Sequence, residues 1–464
     1  PRLAASAWIF QNIPGALTLE METEEGAYQR PLSYQGGDTL RSGISLGMPF
    51  KPIADGIIAA VTMPHILDQD QIGILKTIQL SVYSGQTSED GLLGIAMIES
   101  DFFPSDNQVL GDPFNFVFNM PITVQQDALY YYQLDVVKGD EPLILSGSPT
   151  FDITRMDGET FKQTLPRFQQ SVQVNQPYSM SVYLLKGGNI NSVAIPYLVD
   201  QAGVAGEKIL RLTLTLQNDP GVSRSAEITS AFEPGQDTRG DSYRFNLDQP
   251  LAVEANDTIT VALSTDSEGV QLVPRAPAPV HESSWDDGIP YGVEGYSTYS
   301  QNNGIYRGDL NLEMYWPDDE SKLQRITTNL DLADYIFITS NRQWGTTTRV
   351  PERYPLTSHY YRNLLGCPEE EDITWCYSVA EPGLFEGDLG FELVETFQSN
   401  PSIGPLEINT QFAEEAFTVY DHPKVLIFKK TDAYDPLNAR AILGSVDLSK
   451  VVYFTPGDAD KYKS

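Results

Sequence analysis

The sequence is poor in the side chains that build most metal and redox centres. Its 464 residues include only two cysteines and four histidines, which argues against a zinc site built from several Cys and His side chains. Basic residues are also scarce: 30 Lys and Arg face 63 Asp and Glu, which gives a formal net charge of −33. A surface this acidic repels phosphate backbones, so the composition argues against a nucleic-acid partner.

Long hydrophobic runs and familiar catalytic motifs are missing as well. The most apolar stretch, Gly56–Leu67, contains Pro64 and His65 and is shorter than the roughly 18 apolar residues of a membrane-spanning helix. No signal peptide, P-loop, Gly-x-Ser-x-Gly, His-Glu-x-x-His or glycine-rich dinucleotide fingerprint occurs. The chain opens at Pro1 directly in an amphipathic pattern, from which we expect a processed or truncated end.

Short alternating segments make up the middle of the chain. Between about Tyr34 and Pro279, apolar and polar residues alternate in runs that are separated by Gly, Pro, Asp and Asn, and helical periodicity is nearly absent. Aromatic residues make up 11% of the chain, which a disordered chain would lack. Many short strands at this spacing predict antiparallel β-sandwiches.

The two halves of this middle region resemble each other. Their order and spacing hold along the whole unit, which indicates a duplicated module. We therefore predict two tandem jelly-roll-like β-sandwiches, formed by residues 31–155 and 156–279. The matching segments, each given with its counterpart, are Met63–Asp68 and Ile195–Asp200, Ile98–Pro104 and Ile228–Pro234, Gly111–Val124 and Gly240–Val253, and Tyr130–Leu134 and Ile259–Leu263.

The two ends of the chain have a different texture. The first twenty residues predict a helix and then a strand, and after Val280 helices and strands alternate again, for example Ser321–Leu332 and Asp334–Thr339. This alternation is typical of a mixed α/β sheet covered by helices. We expect a mixed α/β and all-β protein, in which residues 1–30 and 280–464 form one discontinuous α/β sandwich domain with the two β-sandwiches inserted into it.

Cys367 and Cys376 lie in one acidic loop that contains a proline. They can form a small disulfide or remain two unpaired thiols in a cytosolic protein. Because the chain has no other cysteine, we expect the disulfide. A disulfide in turn predicts an oxidising, extracytoplasmic compartment.

An acidic pair follows the tryptophan of a β–loop junction. Asp286 and Asp287 stand directly after Trp285, and a glycosidase would need two carboxyl groups of this kind at a defined separation. In a chain with 63 acidic residues, the alternative is a solvated loop.

Polar residues also follow a predicted buried strand. Ser340, Asn341 and Arg342 come directly after Asp334–Thr339, at the carboxyl end of the strand, where open α/β sheets bind ligands.

Two more arginines, Arg349 and Arg353, flank Glu352 in the next segment. Guanidinium groups bind phosphate or carboxylate groups. The alternative is that these arginines pair with Glu352, Asp286, Asp287 or Asp421 and hold the loop together.

The predicted sandwiches contain aspartates that could bind a hard cation. Asp68, Asp70, Asp200, Asp237 and Asp241 offer the oxygen ligands that Ca²⁺ prefers. No spacing among them is specific, and turn-forming aspartate is the alternative. Calcium is therefore the only cofactor that the sequence raises.

Several segments at both ends of the chain resemble a family of bacterial membrane enzymes. The family is that of phospholipid-carrier-dependent glycosyltransferases, which are related to the protein mannosyltransferases and are found in Chloroflexi-type bacteria. The resemblance covers about 200 residues on both sides of the predicted sandwiches. The segments that carry it are Arg2–Ile9 with Asn12–Pro14, Glu282–Asp287, Ala333–Arg342, Arg349–Tyr361, Leu389–Val394 and Glu414–Val425, the last of which includes Asp421 and His422.

The resemblance implies transfer of a sugar from a polyprenyl-phosphate carrier at the outer face of the cytoplasmic membrane. The family's catalytic acid is expected in a loop between early membrane helices, which this chain lacks. The resemblance therefore implies an extracytoplasmic part of such an enzyme, without catalysis by this chain alone, that contacts a glycan or lipid-linked sugar and joins the membrane through helices outside the chain.

A second hypothesis needs no enzyme. The chain could be a cell-surface protein, released by proteolysis, that binds glycans or forms homo-oligomers through its sandwiches. Two tandem sandwiches, strong acidity and the absence of a catalytic motif favour it.

Overall fold

The computed structural model describes residues 1–34, 38–40, 42–43, 45–68, 73–85, 88, 90–105, 111–139, 143–165, 171–174, 177–235, 237, 239–284, 288–293, 305–306, 310–403, 406–408, 410, 413 and 416–453. Its architecture is three packed units that share one chain. Among these residues, no helix is both long and apolar enough to cross a bilayer.

The chain begins with a helix and a hairpin that belong to different units. Helix α1 (Arg2–Asn12) is followed by strands β1 (Leu17–Thr23) and β2 (Gly26–Leu32). The helix buries Ala5, Ile9 and Phe10 in a cluster with side chains from the C-terminal part of the chain. The hairpin extends a sheet of the second sandwich instead.

Sandwich 1 is built from the continuous segment 38–164. One sheet has the strand order β12-β11-β5-β10-β3, with β8 also paired to β5, and the other has the order β4-β9-β6-β7. All pairings are antiparallel. The strands are β3 (Asp38–Leu40), β4 (Leu46–Phe50), β5 (Gly56–Asp68), β6 (Lys76–Ser84), β7 (Gly91–Ser100), β8 (Asp112–Val124), β9 (Tyr130–Lys138), β10 (Leu143–Ser146), β11 (Thr150–Thr154) and β12 (Thr160–Thr164).

Sandwich 2 consists of the N-terminal hairpin and seven later strands. One sheet has the order β17-β14-β1-β2, with β19 also paired to β14, and the other has the order β13-β18-β15-β16. The later strands are β13 (Tyr178–Tyr183), β14 (Gly188–Asp200), β15 (Lys208–Leu216), β16 (Ser223–Ser230), β17 (Asp241–Val253), β18 (Thr258–Ser264) and β19 (Leu272–Arg275).

The remaining elements form the α/β unit. Its four-stranded sheet has the order β20-β21-β25-β22, in which only β20 and β21 are parallel; a separate hairpin joins β23 and β24. The elements are β20 (Pro279–His281), α2 (Glu320–Leu332), β21 (Tyr335–Ile338), α3 (Trp344–Thr347), α4 (Pro355–Leu365), α5 (Ile373–Val379), β22 (Phe391–Phe397), β23 (Ser402–Ile403), β24 (Leu406–Glu407), a π-helix (Ala416–Asp421), β25 (Val425–Lys430), α6 (Pro436–Leu443) and a 3₁₀ turn (Leu448–Lys450).

Helices on both faces of this sheet enclose its core. Asp319, Asp372 and Asp435 each accept backbone N–H groups at the start of α2, α5 and α6, which satisfies donors that a helix leaves unpaired. Leu330, Ile336 and the helical residues of α4 pack on one face, and α1 covers the other.

The predicted combination of an α/β unit with antiparallel β-sandwiches is confirmed, and two boundaries of the predicted domains need correction. We predicted that residues 1–30 belong wholly to the α/β domain, but β1 pairs with β14, from Thr18 opposite Ala194 to Glu22 opposite Asn189. The hairpin therefore completes sandwich 2. The predicted boundary at residue 155 moves beyond β12 (Thr160–Thr164), because β12 pairs with β11 in sandwich 1. The chain is a nested insertion, with sandwich 1 inside sandwich 2 and sandwich 2 inside the α/β unit.

A partly buried ionic contact joins sandwich 2 to the α/β unit. Arg239 binds Asp334 through both terminal nitrogens at 2.6 and 2.8 Å, and it also binds Asp237. Its guanidinium carbon lies 3.8 Å from the centroid of the Tyr197 ring, and the Tyr197 hydroxyl donates to Asp334. Paired carboxylates hold the Arg239 pKa above its usual range despite burial. The two units therefore meet through a partly buried cluster in which Arg239 pairs with two carboxylates.

Candidate functional site

The strands of the α/β sheet bring three chain segments to one edge. β20 and β21 run parallel and both end there, while the antiparallel β25 begins there, with Ile338 opposite Leu426. The residues that follow His281, those that follow Ile338 and those that precede Val425 must therefore meet. This is the edge at which open α/β sheets bind ligands.

We call the polar side chains of this edge the polar edge: Arg2, Ser340, Asn341, Arg342, Tyr420, Asp421 and His422. Arg342 lies with its guanidinium carbon 5.1 Å from the centroid of the Tyr420 ring, and this ring is 64% exposed. The Ser340 hydroxyl, itself buried, accepts the Arg342 backbone N–H. A guanidinium group beside an exposed aromatic ring suits an anionic or hydroxylated ligand.

Arg2 fixes the polar edge from the other end of the chain. Its Nε donates to the Thr339 carbonyl at 3.3 Å and its Nη2 to the Val419 carbonyl at 2.9 Å. The arginine thus ties the end of β21 to the π-helix that carries Tyr420. From the sequence, Arg2 appeared only in a segment that resembles the glycosyltransferase family and was not assigned to this site.

Asp421 and His422 also lie at this edge. Nδ1 of His422 lies 3.0 Å from an Asp421 carboxylate oxygen. The structure therefore brings Ser340, Asn341, Arg342, Asp421 and His422 to one edge of the sheet.

A buried aromatic and acidic cluster lies beneath this edge. The Tyr361 hydroxyl donates to Glu282, and the Tyr377 hydroxyl donates to the Tyr361 carbonyl at 2.9 Å. The Trp344 and Tyr377 rings stack at 5.4 Å. Burial, reinforced by the charge of Glu282, raises the pKa of Tyr361 well above its usual value. These phenols therefore act only as hydrogen-bond donors or acceptors.

Some polar atoms around this cluster have no hydrogen-bond partner among the described residues. They are Ser283 Oγ, Gln343 Nε2, Trp344 Nε1, Ser358 Oγ and Tyr360 OH, all on buried residues. A buried polar atom without a partner costs about 1–3 kcal/mol. Buried polar groups are normally paired, so each of these atoms needs an explanation, and a functional role is one. The sequence prediction missed these atoms, because Tyr and Trp in helices match an ordinary core pattern.

Lys424, which precedes β25, is buried beside this cluster. Its Nζ donates to the carbonyls of Ser378 and Ala380 at 3.0 and 2.6 Å. Burial lowers the pKa of Lys424 to about 8. It ties the strand to the end of α5.

The Arg349–Arg353 segment forms a turn between α3 and α4. The Glu352 carbonyl accepts the Val452 N–H at 2.9 Å, and Arg353 lies over the Tyr354 ring at 5.2 Å. The Thr374 hydroxyl and, more weakly, Arg349 hold the pKa of Asp372 below its usual range. Both interpretations of these arginines, binding of a phosphate or carboxylate group and pairing with Glu352, Asp286, Asp287 or Asp421, therefore stay predictions.

Trp285, Asp286, Asp287 and Asp70 lie outside the described residues.

The expected disulfide between Cys367 and Cys376 is confirmed, with a Cα–Cα distance of 5.8 Å.

Three of the proposed calcium ligands bind basic side chains instead. Asp68 accepts from Lys76 at 2.8 Å, with both side chains fully buried, and Asp200 lies 3.3 Å from the buried Lys208.

Asp237, the third, binds Arg239 at 2.7 Å. A cation would have to displace these groups, so we correct the calcium expectation for all three. Asp241 begins β17, and no group of three or more His, Cys, Asp or Glu among the described residues could hold a metal ion.

Comparison with known proteins does not identify a family. No family model matches the chain, and no curated protein matches it. Two viral structures match part of it: the VP2 protein of infectious bursal disease virus, at 11% identity and a TM-score of 0.11, and a Penaeus vannamei nodavirus, at 10% identity and a TM-score of 0.09. The matches cover 57% and 55% of this chain, and 61% and 98% of the viral chains. TM-scores this low do not define a shared fold.

Proposed function

We propose that the chain is the extracytoplasmic, non-catalytic part of a membrane glycosyltransferase that uses a polyprenyl-phosphate sugar. In this role the α/β unit faces the lipid-linked donor through the polar edge, and the sandwiches extend away from it toward the glycan acceptor. The unit would act at the outer face of the cytoplasmic membrane.

One observation carries the proposal. The described parts of the segments that resemble the glycosyltransferase family, although they come from both ends of the chain, fall in the α/β unit or directly beside α1. Arg2 contacts Thr339 and Val419, and α1 packs against β21 and β25. Segments distant in sequence thus support one surface, whereas both sandwiches lie outside the resemblance.

The charge of the polar edge supports a phosphate-bearing ligand. Arg2 and Arg342 lie there in a chain whose net charge is −33. Arginine binds phosphate oxygens through paired N–H donors. The two arginines outnumber Asp421, the one carboxylate of the polar edge, so this edge carries the local positive charge that suits a carrier phosphate.

The test is glycan transfer by membranes from cells that express the gene. We expect Arg342→Ala to lower the transfer rate at least about tenfold, which corresponds to about 1.4 kcal/mol, and Arg342→Lys to restore part of it. The matched control is Arg155→Ala, which removes an exposed arginine of sandwich 1. Equal transfer by the Arg342→Ala and wild-type proteins would contradict the proposed role of the edge.

A second function, self-assembly at a cell surface, is favoured by an exposed apolar strip on sandwich 1. Leu92, Met97, Val117 and Met120 are 52–76% exposed on β7 and β8. The strand pairings place Ser223, Glu227, Asn246 and Gln249 at the same positions of sandwich 2. The strip is therefore not required by the sandwich fold, and exposed apolar patches mark contact surfaces.

Sedimentation of the purified chain tests this second function. A second copy is the expected occupant, because an uncharged strip can meet its own copy without bringing like charges together. Met97→Glu, which installs the residue of sandwich 2, should convert a dimer to a monomer. A wild-type chain that is monomeric at high concentration would exclude self-assembly.

A further inference from the structure

The two sandwiches present corresponding outer faces that differ in shape. On sandwich 1, strands β8, β5, β11 and β12 form an open trough of about 420 Å³. Its lining includes Ala60, Thr62, Asn115, Asp152, Thr154 and Lys162. All of these side chains lie on the outward face of the sheet, away from the core.

A β-bulge and small side chains give the trough its depth. The register of β5 shifts between Ile58 and Ala60 against β8, and the register of β11 shifts around Asp152 against β5. Ala59 and Ala60 occupy the bulge. Methyl side chains there leave room above the strand, and bulges often re-aim side chains beside binding sites.

Sandwich 2 has the same bulge but fills the same space. Its strand pairings make Ser192, Arg244 and Glu20 the counterparts of Ala60, Asn115 and Asp152. Arg244 donates to Glu20 at 2.8 Å, and the Ser192 hydroxyl donates to the other Glu20 oxygen. The trough is therefore a property of the side chains of sandwich 1 and not of the fold.

The counterpart of Thr150 is also covered in sandwich 2. Thr18 is 1% exposed, and its hydroxyl accepts the Gly15 N–H of the segment that follows α1. In sandwich 1, Thr150 lies in the wall of the open trough. The same face serves as an internal contact in one copy and stays accessible in the other.

The chemistry of the trough fits a neutral, hydroxylated ligand. Threonine hydroxyls and the Asn115 amide both donate and accept hydrogen bonds, as sugar hydroxyls do. Asp152 and Lys162 stand opposite each other in register, so the lining carries no net charge. The acidic chain around it disfavours anions, and the alanine floor can contact the apolar face of a sugar ring.

We propose that this trough binds a neutral oligosaccharide, with the sugar lying across β8, β5, β11 and β12. Asn115, Asp152 and Lys162 hydrogen-bond the hydroxyl groups, and Ala59 and Ala60 form the floor. The choice of a glycan rests on the proposed function, to which this site adds a place and a class of acceptor.

The test uses the purified full chain and a panel of neutral gluco-, manno-, galacto- and N-acetylglucosamine-based oligosaccharides in titration calorimetry. We expect saturable binding of at least one. The key variant combines Ala60→Ser, Asn115→Arg and Asp152→Glu. These are the side chains of sandwich 2, whose equivalent strands accommodate them. Binding should weaken at least about tenfold.

Two controls keep the result unambiguous. The reverse change in sandwich 2, Ser192→Ala with Arg244→Asn and Glu20→Asp, leaves the trough of sandwich 1 intact and should not weaken binding. Lys162→Ala, a single exposed substitution, should weaken binding without altering the unfolding temperature. No binding of any oligosaccharide, or full affinity in the filled-trough variant, would overturn the proposal. Because transfer depends on Arg342 and binding on the trough, failure of one leaves the other measurable.

Discussion

Sandwich 1 and sandwich 2 share strand order and register but obtain their final hairpin from opposite directions along the chain. In sandwich 1, β11 and β12 follow β10, and Thr150 pairs with Thr62. In sandwich 2, the equivalent place beside β14 is taken by β1, with Thr18 opposite Ala194. Sandwich 2 is thus a circularly permuted copy, and its permuted hairpin directly follows α1 in the chain.

The comparison separates what holds the fold from what varies. Both copies keep a buried Lys–Asp pair. Both also hold a buried phenylalanine at positive φ, Phe102 at 51° and Phe232 at 48°. The carbonyls of these residues accept hydrogen bonds from the backbone N–H groups of Asp68 and Asp200. A non-glycine residue in this conformation costs on the order of 1 kcal/mol or more, so its retention in both copies marks a structural requirement. The outer faces, by contrast, differ in nearly every side chain.

The largest effect should come from breaking the shared ion pair. Asp200→Ala leaves Lys208 buried without its carboxylate and also removes the acceptor of three backbone N–H groups, from Ala202, Val204 and Gln271. We expect a loss of about 3–5 kcal/mol in the free energy of unfolding. Urea denaturation followed by tryptophan and tyrosine fluorescence measures it.

The matched change in the other copy sharpens this comparison. Asp68→Ala should also destabilise its sandwich, and Asp68→Leu combined with Lys76→Met should recover much of the loss, because an apolar pair removes the uncompensated charge. If both single variants unfold at the wild-type urea concentration, the pairs do not hold the sandwiches.

The second largest effect should come from Arg239, which joins only sandwich 2 to the α/β unit. Arg239→Leu leaves Asp334 and Asp237 without their guanidinium partner and should cost about 3 kcal/mol. The counterpart of Tyr197 is His65, which contacts the Gly111 carbonyl instead. Calorimetry should therefore show sandwich 2 and the α/β unit separating into two transitions, while the sandwich 1 transition stays in place.

Lowering the pH should destabilise the α/β unit more than either sandwich. Burial lowers the pKa of His281 to about 4, so between pH 6.5 and 4 the unfolded chain binds a proton that the folded chain does not. Stability must then fall as the pH falls through this range, by about 2 kcal/mol for a partly exposed ring. His281→Leu should remove this dependence from the α/β transition, as measured by urea midpoints at several pH values. An unchanged slope in the variant would contradict it.

The smallest effect should come from the filled outer face of sandwich 2. The Arg244 side chain is 59% exposed, so Arg244→Asn should change the free energy of unfolding by no more than about 1 kcal/mol. A larger loss, measured by the same urea titration, would mean that the bridge supports the sandwich and that the two outer faces are not interchangeable.

Much of this architecture follows from the sequence. The match between Met63–Asp68 and Ile195–Asp200 predicts the duplication, and both segments end β5 and β14. The destination of β1 does not follow, because alternation in Ala16–Met21 identifies a strand without naming its partner. Register with β14 depends on packing across a long sequence separation, which local pattern does not contain.

The site is predictable to a similar degree. The place of Ser340, Asn341 and Arg342 after a buried strand follows from the pattern, whereas the role of Arg2 depends on tertiary contacts. A usable signal was overlooked at Asp68 and Asp200: Lys76 and Lys208 recur at the same distance from them, which favours ion pairs over calcium ligands.

The nested order of the three units has a mechanical consequence. A force applied to the two flanks of the chain loads the α/β unit first, through α1 and the C-terminal helices. Only after this unit opens does tension reach the hairpin that closes sandwich 2, and sandwich 1 bears load last. Sandwich 1, which carries the open trough, therefore bears no force until the α/β unit and sandwich 2 have both unfolded.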